Sequence, residues 1–157
     1  MYNIDIQSSE FVKCLERGEQ EAFQRLFETF HKALCFFAAR IVRDHLEAED
    51  IVQDVFLSFW KMDRGGFPNV KTIKTFLYNS VQHRCLNYLR DLEIRDRNYK
   101  NLNKEELDED YFLCQQIRAE VVAELFGAID ELPDKCKEIF KRSYVDGQED
   151  KKIAEEL

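Results

Sequence analysis

The sequence predicts an all-α protein, and three observations support this fold class. Glycine and proline are rare, with 5 and 2 in 157 residues, whereas the many tight turns of an all-β fold consume such residues. Apolar residues recur at three- and four-residue spacing in one segment after another, which is typical of amphipathic helices. No segment shows the sustained alternation of polar and apolar residues that indicates a half-buried strand.

Four helices are expected in the first part of the chain. A short one ends near Gly18, and a long one over 20–42 has the clearest amphipathic pattern of the sequence. The third runs over about 46–62. Two glycines and a proline then predict a loop at 63–69, and the fourth helix follows over about 71–92.

The chain changes character at 93–110, which is rich in charged residues and poor in large apolar ones. We expect a flexible linker there. Helical spacing resumes after it, with Pro133 at the first position of a helix and Gly147 before a last amphipathic segment. The predicted architecture is therefore two small helical domains, at 1–92 and 111–157.

The composition argues against several classes of site. The 5 cysteines form no CxxC pair and the 3 histidines lack ligand spacing, so we expect no metal, no disulfide framework and a reducing, cytoplasmic compartment. We expect no enzyme and no cofactor, because no nucleophile–base set or Gly-rich phosphate loop is present. No apolar run approaches the roughly 18 residues that span a bilayer, so we expect no membrane insertion.

The net charge of -8 averages two segments of opposite sign. Residues 44–54 hold five acids and no Lys or Arg, whereas 61–90 hold six basic residues and one acid. The basic segment also carries aromatic and amide side chains. Cations contact phosphates, rings stack on unpaired bases and amides read base edges, so this mixture indicates binding to single-stranded DNA. Composition leaves open a solvated amphipathic face with its aromatic residues partly in the core.

Three segments, in order, resemble motifs of the bacterial sigma-70-type factors. Segment 47–60, EAEDIVQDVFLSFW, resembles their polymerase-binding helix. Segment 74–91, KTFLYNSVQHRCLNYLRD, resembles the promoter-melting and recognition helix that follows it. Segment 128–157, which begins AIDELPDKCKEIFKRSYVDG, resembles the start of their second conserved domain. With no other conserved domain, the resemblance is to the extracytoplasmic-function (ECF) type, and it covers 22–91 and 121–157.

The resemblance implies that the acidic helix docks on the clamp coiled coil of core RNA polymerase. Acidic side chains there suit a charge-steered encounter with a basic partner. The implied contact residues are Asp50, Gln53, Asp54, Leu57 and Trp60. Two alternatives stay open: the two aspartates belong to a merely solvated side, and Trp60 belongs to the core.

The resemblance also implies that the loop at 64–70 captures a flipped base of the promoter's minus-ten element, as a single strand, and that the next helix contacts the melted DNA. The family commonly carries Asn at the position of His83. A Gly-Gly-Phe-Pro turn in the loop has a purely structural alternative. The implied DNA-binding residues are Arg64, Phe67, Asn69, Lys71, Lys74, Phe76, Asn79, Gln82, His83, Arg84, Asn87 and Arg90.

We therefore expect a sigma factor that binds core RNA polymerase and directs promoter recognition and melting. The family implies an anti-sigma factor that clamps both domains. It also implies a helix-turn-helix near the end of the chain, and because the sequence stops at Leu157 within its first helix, we expect a truncated second domain without the recognition helix. Two other functions stay open: a helical DNA-binding regulator independent of polymerase, and an acidic helical adaptor for protein interactions.

Overall fold

The computed structural model describes residues 4–95 and 108–156. In chain order its helices are α1 (Ser9–Glu16), α2 (Gln20–Val42), α3 (His45–Lys61), α4 (Val70–Arg95), α5 (Glu109–Asp130), α6 (Asp134–Phe140), a π-helical turn (Lys141–Val145) and α7 (Asp150–Glu156). No strand occurs in the described ranges, so the predicted all-α fold class is confirmed. The greater part of the predicted linker, at 96–107, lies outside the described residues.

Two compact units divide the chain, Met1–Glu120 and Val121–Leu157. The division falls within α5, so the first three turns of this helix are part of the first unit. The predicted domains at 1–92 and 111–157 assigned those turns to the second domain. Each unit packs around its own buried side chains.

The first unit is built around α2, which packs against α1, α3 and α4. Its buried positions follow helical spacing along the whole element, which is the pattern that the sequence predicted for this segment. They are Ala22, Leu26, Ala33, Leu34, Phe37, Ala38, Ile41 and Val42. The helix ends at Arg43, whose φ of 58° lies in the left-handed region, and the chain then turns into α3.

Asp44 begins α3 as a well-formed N-cap. Its carboxylate oxygen Oδ1 accepts hydrogen bonds from the backbone N–H groups of Leu46 at 3.0 Å and Glu47 at 3.2 Å. Such a cap contributes about 1 kcal/mol of stability. The helix buries one face against the core, through Ala48, Ile51, Val52, Val55, Phe56 and Phe59. Its opposite face, which carries the acidic residues, is therefore left in solvent.

The α3–α4 loop (residues 62–69) ends in a second cap. The Asn69 side-chain oxygen accepts a hydrogen bond from the Thr72 backbone N–H at 3.0 Å, and the Thr72 hydroxyl donates to the Asn69 carbonyl at 2.7 Å. These bonds start α4, whose buried side chains are Val70, Ile73, Leu77, Tyr78, Val81, Cys85 and Leu89. The loop and the exposed side of α4 therefore lie next to each other, outside the core.

The beginning of α5 packs on the core of the first unit. Phe112 and Ala119 are buried members of that core. Gln115, also buried, accepts a hydrogen bond from the Arg40 Nε at 3.2 Å. At the end of the same stretch, Glu120 pairs with the Lys74 ammonium at 2.6 Å. This half of α5 is therefore held by both apolar and polar contacts.

The second unit has a smaller core. Ile129 and Ile153 are its buried apolar side chains among the described residues. Arg142 ties the π-helical turn to its neighbours, because its guanidinium contacts Glu138 at 2.9 Å and Glu156 at 2.7 Å. Gly147, with a φ of +68°, makes the turn before α7. Across both units, no described helix combines the length and the apolar character needed to cross a membrane.

Candidate functional site

The acidic residues predicted to contact polymerase lie on one exposed face of α3. Asp50, Gln53, Asp54 and Leu57 are all exposed, and their spacing of three and four residues stacks them along one side of the helix. Leu57 is 54% exposed although it is a large apolar residue. The structure thus brings four of the five predicted polymerase contacts together on one exposed surface of the helix.

Leu46 belongs to this face, and the sequence analysis missed it. It lies eleven residues before Leu57, which is about three helical turns, so the two leucines share one side of α3. Leu46 is 76% exposed. The signal was present in the spacing, but Leu46 was assigned only to the start of the helix. We call Leu46, Asp50, Gln53, Asp54 and Leu57 the acidic face.

Trp60 sits at the border between this face and the core. Its ring is half-buried and packs edge-on against Phe23, with ring centroids 4.7 Å apart. The Arg64 guanidinium covers the ring at 4.9 Å from its centroid. This packing favours the alternative in which Trp60 belongs to the core, since one side of its ring lies against Phe23.

The exposed side of α4 carries uncharged polar groups and a few cations. Asn79, His83 and Arg90 are exposed along it. The sequence analysis did not single out Thr75 and Thr72. They are exposed on the same side, about one and two turns before Asn79. We call these five residues the polar face of α4. Gln82 and Asn87 flank it half-buried, Lys71 is exposed beside its first turn, and the Arg90 Nη2 donates to the Asn87 Oδ1 at 2.6 Å.

Two basic residues of α4 point away from the polar face. Lys74 is directed toward α5, where its ammonium pairs with Glu120. Arg84 is directed toward α3, where its Nη2 donates to the Ser58 hydroxyl at 2.9 Å and its Nη1 lies 3.9 Å from the Asp54 carboxylate. Both cations are thus engaged by the protein itself.

Phe67 and Phe76, two predicted base-stacking residues, form an aromatic cluster with the core residue Phe59. The centroids of Phe67 and Phe76 are 5.5 Å apart, and each lies about 6 Å from that of Phe59. Both rings are half-buried. They hold the α3–α4 loop against the bundle, which favours a structural role for the Phe67 ring.

Burial shifts the pKa of several titratable groups in the first unit toward the uncharged form. Burial raises the pKa of the Cys85 thiol to about 12 and that of the Cys35 thiol to about 11. It also raises the pKa of the Tyr78 phenol, with a further contribution from the Glu120 carboxylate. Burial lowers the pKa of His31, against a smaller opposing effect of Glu49. Cys35 and Cys85 are therefore protonated thiols.

Metal ligands are not clustered in the described part of the chain. No group of three His, Cys, Asp or Glu side chains there is placed to hold a metal ion. The charge distribution is instead the main feature of the first unit: an acidic face on α3 and, on the adjacent helix, a polar face with isolated cations. Surfaces of this kind suit macromolecular partners.

Comparison with known proteins places the same elements in a family. The Sigma-70 region 2 family matches residues 26–94, which span α2 to α4. The ECF RNA polymerase sigma factor SigK of Mycolicibacterium vanbaalenii is 23% identical over 153 residues, covering 93% of this chain and 76% of the relative. No solved structure matches the chain. The resemblance found in the sequence is thereby confirmed for this part of the chain: residues 26–94 match sigma-70 region 2, and the chain as a whole is similar to a sigma factor of the ECF type, a transcription initiation factor.

Proposed function

We propose that this sigma factor divides its two partners between adjacent helices. The acidic face of α3 binds core RNA polymerase, at its clamp coiled coil. The α3–α4 loop and the polar face of α4 hold the minus-ten element of the promoter as a melted single strand. The observation that supports this most is that the two faces differ in charge while sharing one apolar core.

The composition of the acidic face suits a protein partner. Its aspartates repel DNA phosphates and attract a basic protein surface, which raises the rate and the specificity of encounter. Leu46 and Leu57 add apolar contact at its two ends, both largely exposed. Protein–protein interfaces combine an apolar part with a polar rim, and this face presents both apolar and polar side chains.

The polar face of α4 suits unpaired bases. Its amide and hydroxyl groups hydrogen-bond base edges, and cations beside them neutralise phosphates. We therefore assign DNA contact to the predicted polar and basic residues that lie on or beside the polar face, with the two threonines added. This set is Asn69, Lys71, Thr72, Thr75, Asn79, Gln82, His83, Asn87 and Arg90. Lys74 and Arg84 are left out because each is already paired within the protein.

We also propose an anti-sigma protein as regulatory partner, acting in the cytoplasm where transcription takes place. A protein that covers the acidic face would exclude polymerase by direct competition. The support is the exposure of that face in the free chain, where Leu46 and Leu57 lie in solvent. The polymerase and DNA contacts of the proposal all lie within the predicted first domain, 1–92.

A gel-shift experiment with and without core polymerase tests the proposal. The probes are a pool of duplexes with randomised promoter elements and the same pool with the minus-ten segment pre-melted. Because the free chain carries a net charge of -8, we expect weak binding by the chain alone and retained, sequence-selected DNA once polymerase is added. Tight duplex binding by the chain alone would favour the polymerase-independent regulator instead.

A further inference from the structure

The Arg64 side chain joins the ends of two helices that are far apart in the sequence. Its Nε donates a hydrogen bond to the Leu15 carbonyl, in the last turn of α1, at 2.7 Å. Its Nη1 donates to the Trp60 carbonyl in the last turn of α3. The same nitrogen faces the carbonyls of Phe59 and Met62 at 3.5 and 3.4 Å. One guanidinium thus serves carbonyl groups at the ends of α1 and α3.

The chemistry of these helix ends explains why an arginine is suited to the position. The last four carbonyls of a helix have no partner within it, and their partial negative charge favours a cation. A guanidinium offers several N–H donors in one rigid plane, so it reaches carbonyls from two helices at once, whereas an ammonium is a single point. The Trp60 ring closes one face of the guanidinium by a cation–π contact at 4.9 Å.

Gly18 leaves the room that this guanidinium needs. It follows α1 with a φ of +77°, a conformation that L side chains rarely adopt. A Cβ atom at this position would lie 3.0 Å from the Arg64 Nη2. The site is therefore built from two segments that are distant in the sequence: the end of α1 with the glycine turn that follows it, and the end of α3.

The consequence falls on the α3–α4 loop, which contains Arg64. Arg64 fastens the first half of the loop to the helix ends, and the Phe67 ring fastens the second half to Phe59 and Phe76. On either side of Arg64, the Asp63 carboxylate accepts a hydrogen bond from the Gly65 N–H at 2.9 Å. The loop is held at both ends while its glycines face solvent.

We propose that Arg64 is a positioning residue: it holds the α3–α4 loop in the shape that receives the flipped base, and it makes no phosphate contact. This inference rests on the proposed function of the loop. It replaces the sequence-based expectation that Arg64 binds DNA. It also connects the loop to the last turn of α3 through the Trp60 carbonyl.

The test measures binding of the polymerase holoenzyme to pre-melted minus-ten DNA over a range of salt concentrations. A phosphate contact to a single strand contributes about 0.7 to the slope of log K against log salt. We expect Arg64→Lys and Arg64→Ala to weaken binding by the same factor, about tenfold, with the wild-type slope. Lys71→Gln, which removes an exposed cation beside the loop, is the matched control and should lower the slope by about 0.7.

Rescue by lysine is the outcome that overturns the inference. If Arg64→Lys binds like the wild type while Arg64→Ala lowers the slope, then Arg64 is a phosphate contact. Gly18→Ala is an independent variant, because its added methyl group crowds the guanidinium from outside the loop. It should weaken DNA binding as the Arg64 variants do. Binding of every variant to core polymerase alone should stay within twofold, and a global folding defect would be seen there. If neither wild type nor Lys71→Gln shows salt-dependent minus-ten binding, the proposed function of the loop fails instead.

Discussion

Replacement of Asp50 by Arg is expected to lower the affinity for core RNA polymerase at least thirtyfold without changing the fold. Asp50 is exposed in the middle of the acidic face, so the substitution places a cation against a basic partner. Like charges that meet at an interface cost several kcal/mol, and thirtyfold corresponds to about 2 kcal/mol. Titration of labelled protein with core polymerase at physiological ionic strength measures the effect.

The matched control is Glu28→Arg. Glu28 is an exposed acid on α2, outside the acidic face, and the substitution changes the net charge by the same amount. Its affinity for polymerase should remain within about threefold of the wild type. Salt screens a charge that lies outside the interface, so that charge contributes little to binding. Equal losses in both variants would show that net charge, rather than the acidic face, governs binding. Unchanged binding by Asp50→Arg would remove this face from the interface.

Simultaneous replacement of Lys71 and Arg90 by Glu is expected to lower the affinity of the holoenzyme for melted minus-ten DNA about a hundredfold. Both cations are exposed, one beside and one on the polar face of α4. Their loss removes two phosphate contacts, which lowers the salt slope by about 1.4, and the new carboxylates add repulsion. Binding is measured by anisotropy with a fluorescent single strand, at several salt concentrations.

The control for this pair is Lys13→Glu combined with Arg25→Glu. These are exposed cations on α1 and α2, so the total charge changes equally at a distance from α4. We expect the salt slope of this control to match the wild type. A similar fall in slope for both pairs would mean that DNA responds to overall charge and that the polar face makes no particular contact.

Which side of α3 is exposed was predictable from local periodicity, although Leu46 was missed and the polymerase contacts came from the resemblance. The side chains of α3 at three- and four-residue spacing are apolar on one side and acidic on the other, and the cap at Asp44 precedes them. A helix with this pattern can bury only one of its sides. The same reasoning identified α2, where the apolar spacing continues over the whole length of the element.

The partners of individual cations were not predictable, since they come from distant parts of the chain. Arg64 bonds to Leu15, and Lys74 pairs with Glu120; a count of local charge cannot distinguish such cations from free ones. Both lie in the basic segment and are among the DNA-binding residues that the resemblance implies. Only tertiary packing shows that both side chains are already bound by other parts of the chain.

The first half of α5 also shows a limit of periodicity. Phe112, Gln115 and Ala119 are buried, whereas Leu113 and Ile117 are 55% and 54% exposed. Two large apolar residues of this helix are thus exposed while an amide is buried. Gln115 is buried because Arg40 supplies a hydrogen-bond partner, which satisfies the buried amide, and no local pattern contains that information.

Run-off transcription with core polymerase on templates with a pre-melted minus-ten segment tests the central claim most directly. We expect specific initiation that depends on the added chain and that is lost with Asp50→Arg, while Glu28→Arg retains it. The Lys71→Glu and Arg90→Glu pair should abolish it even though polymerase still binds. The account would be contradicted if the wild-type chain supported no specific initiation. It would also be contradicted if the substitutions on both faces left initiation unchanged.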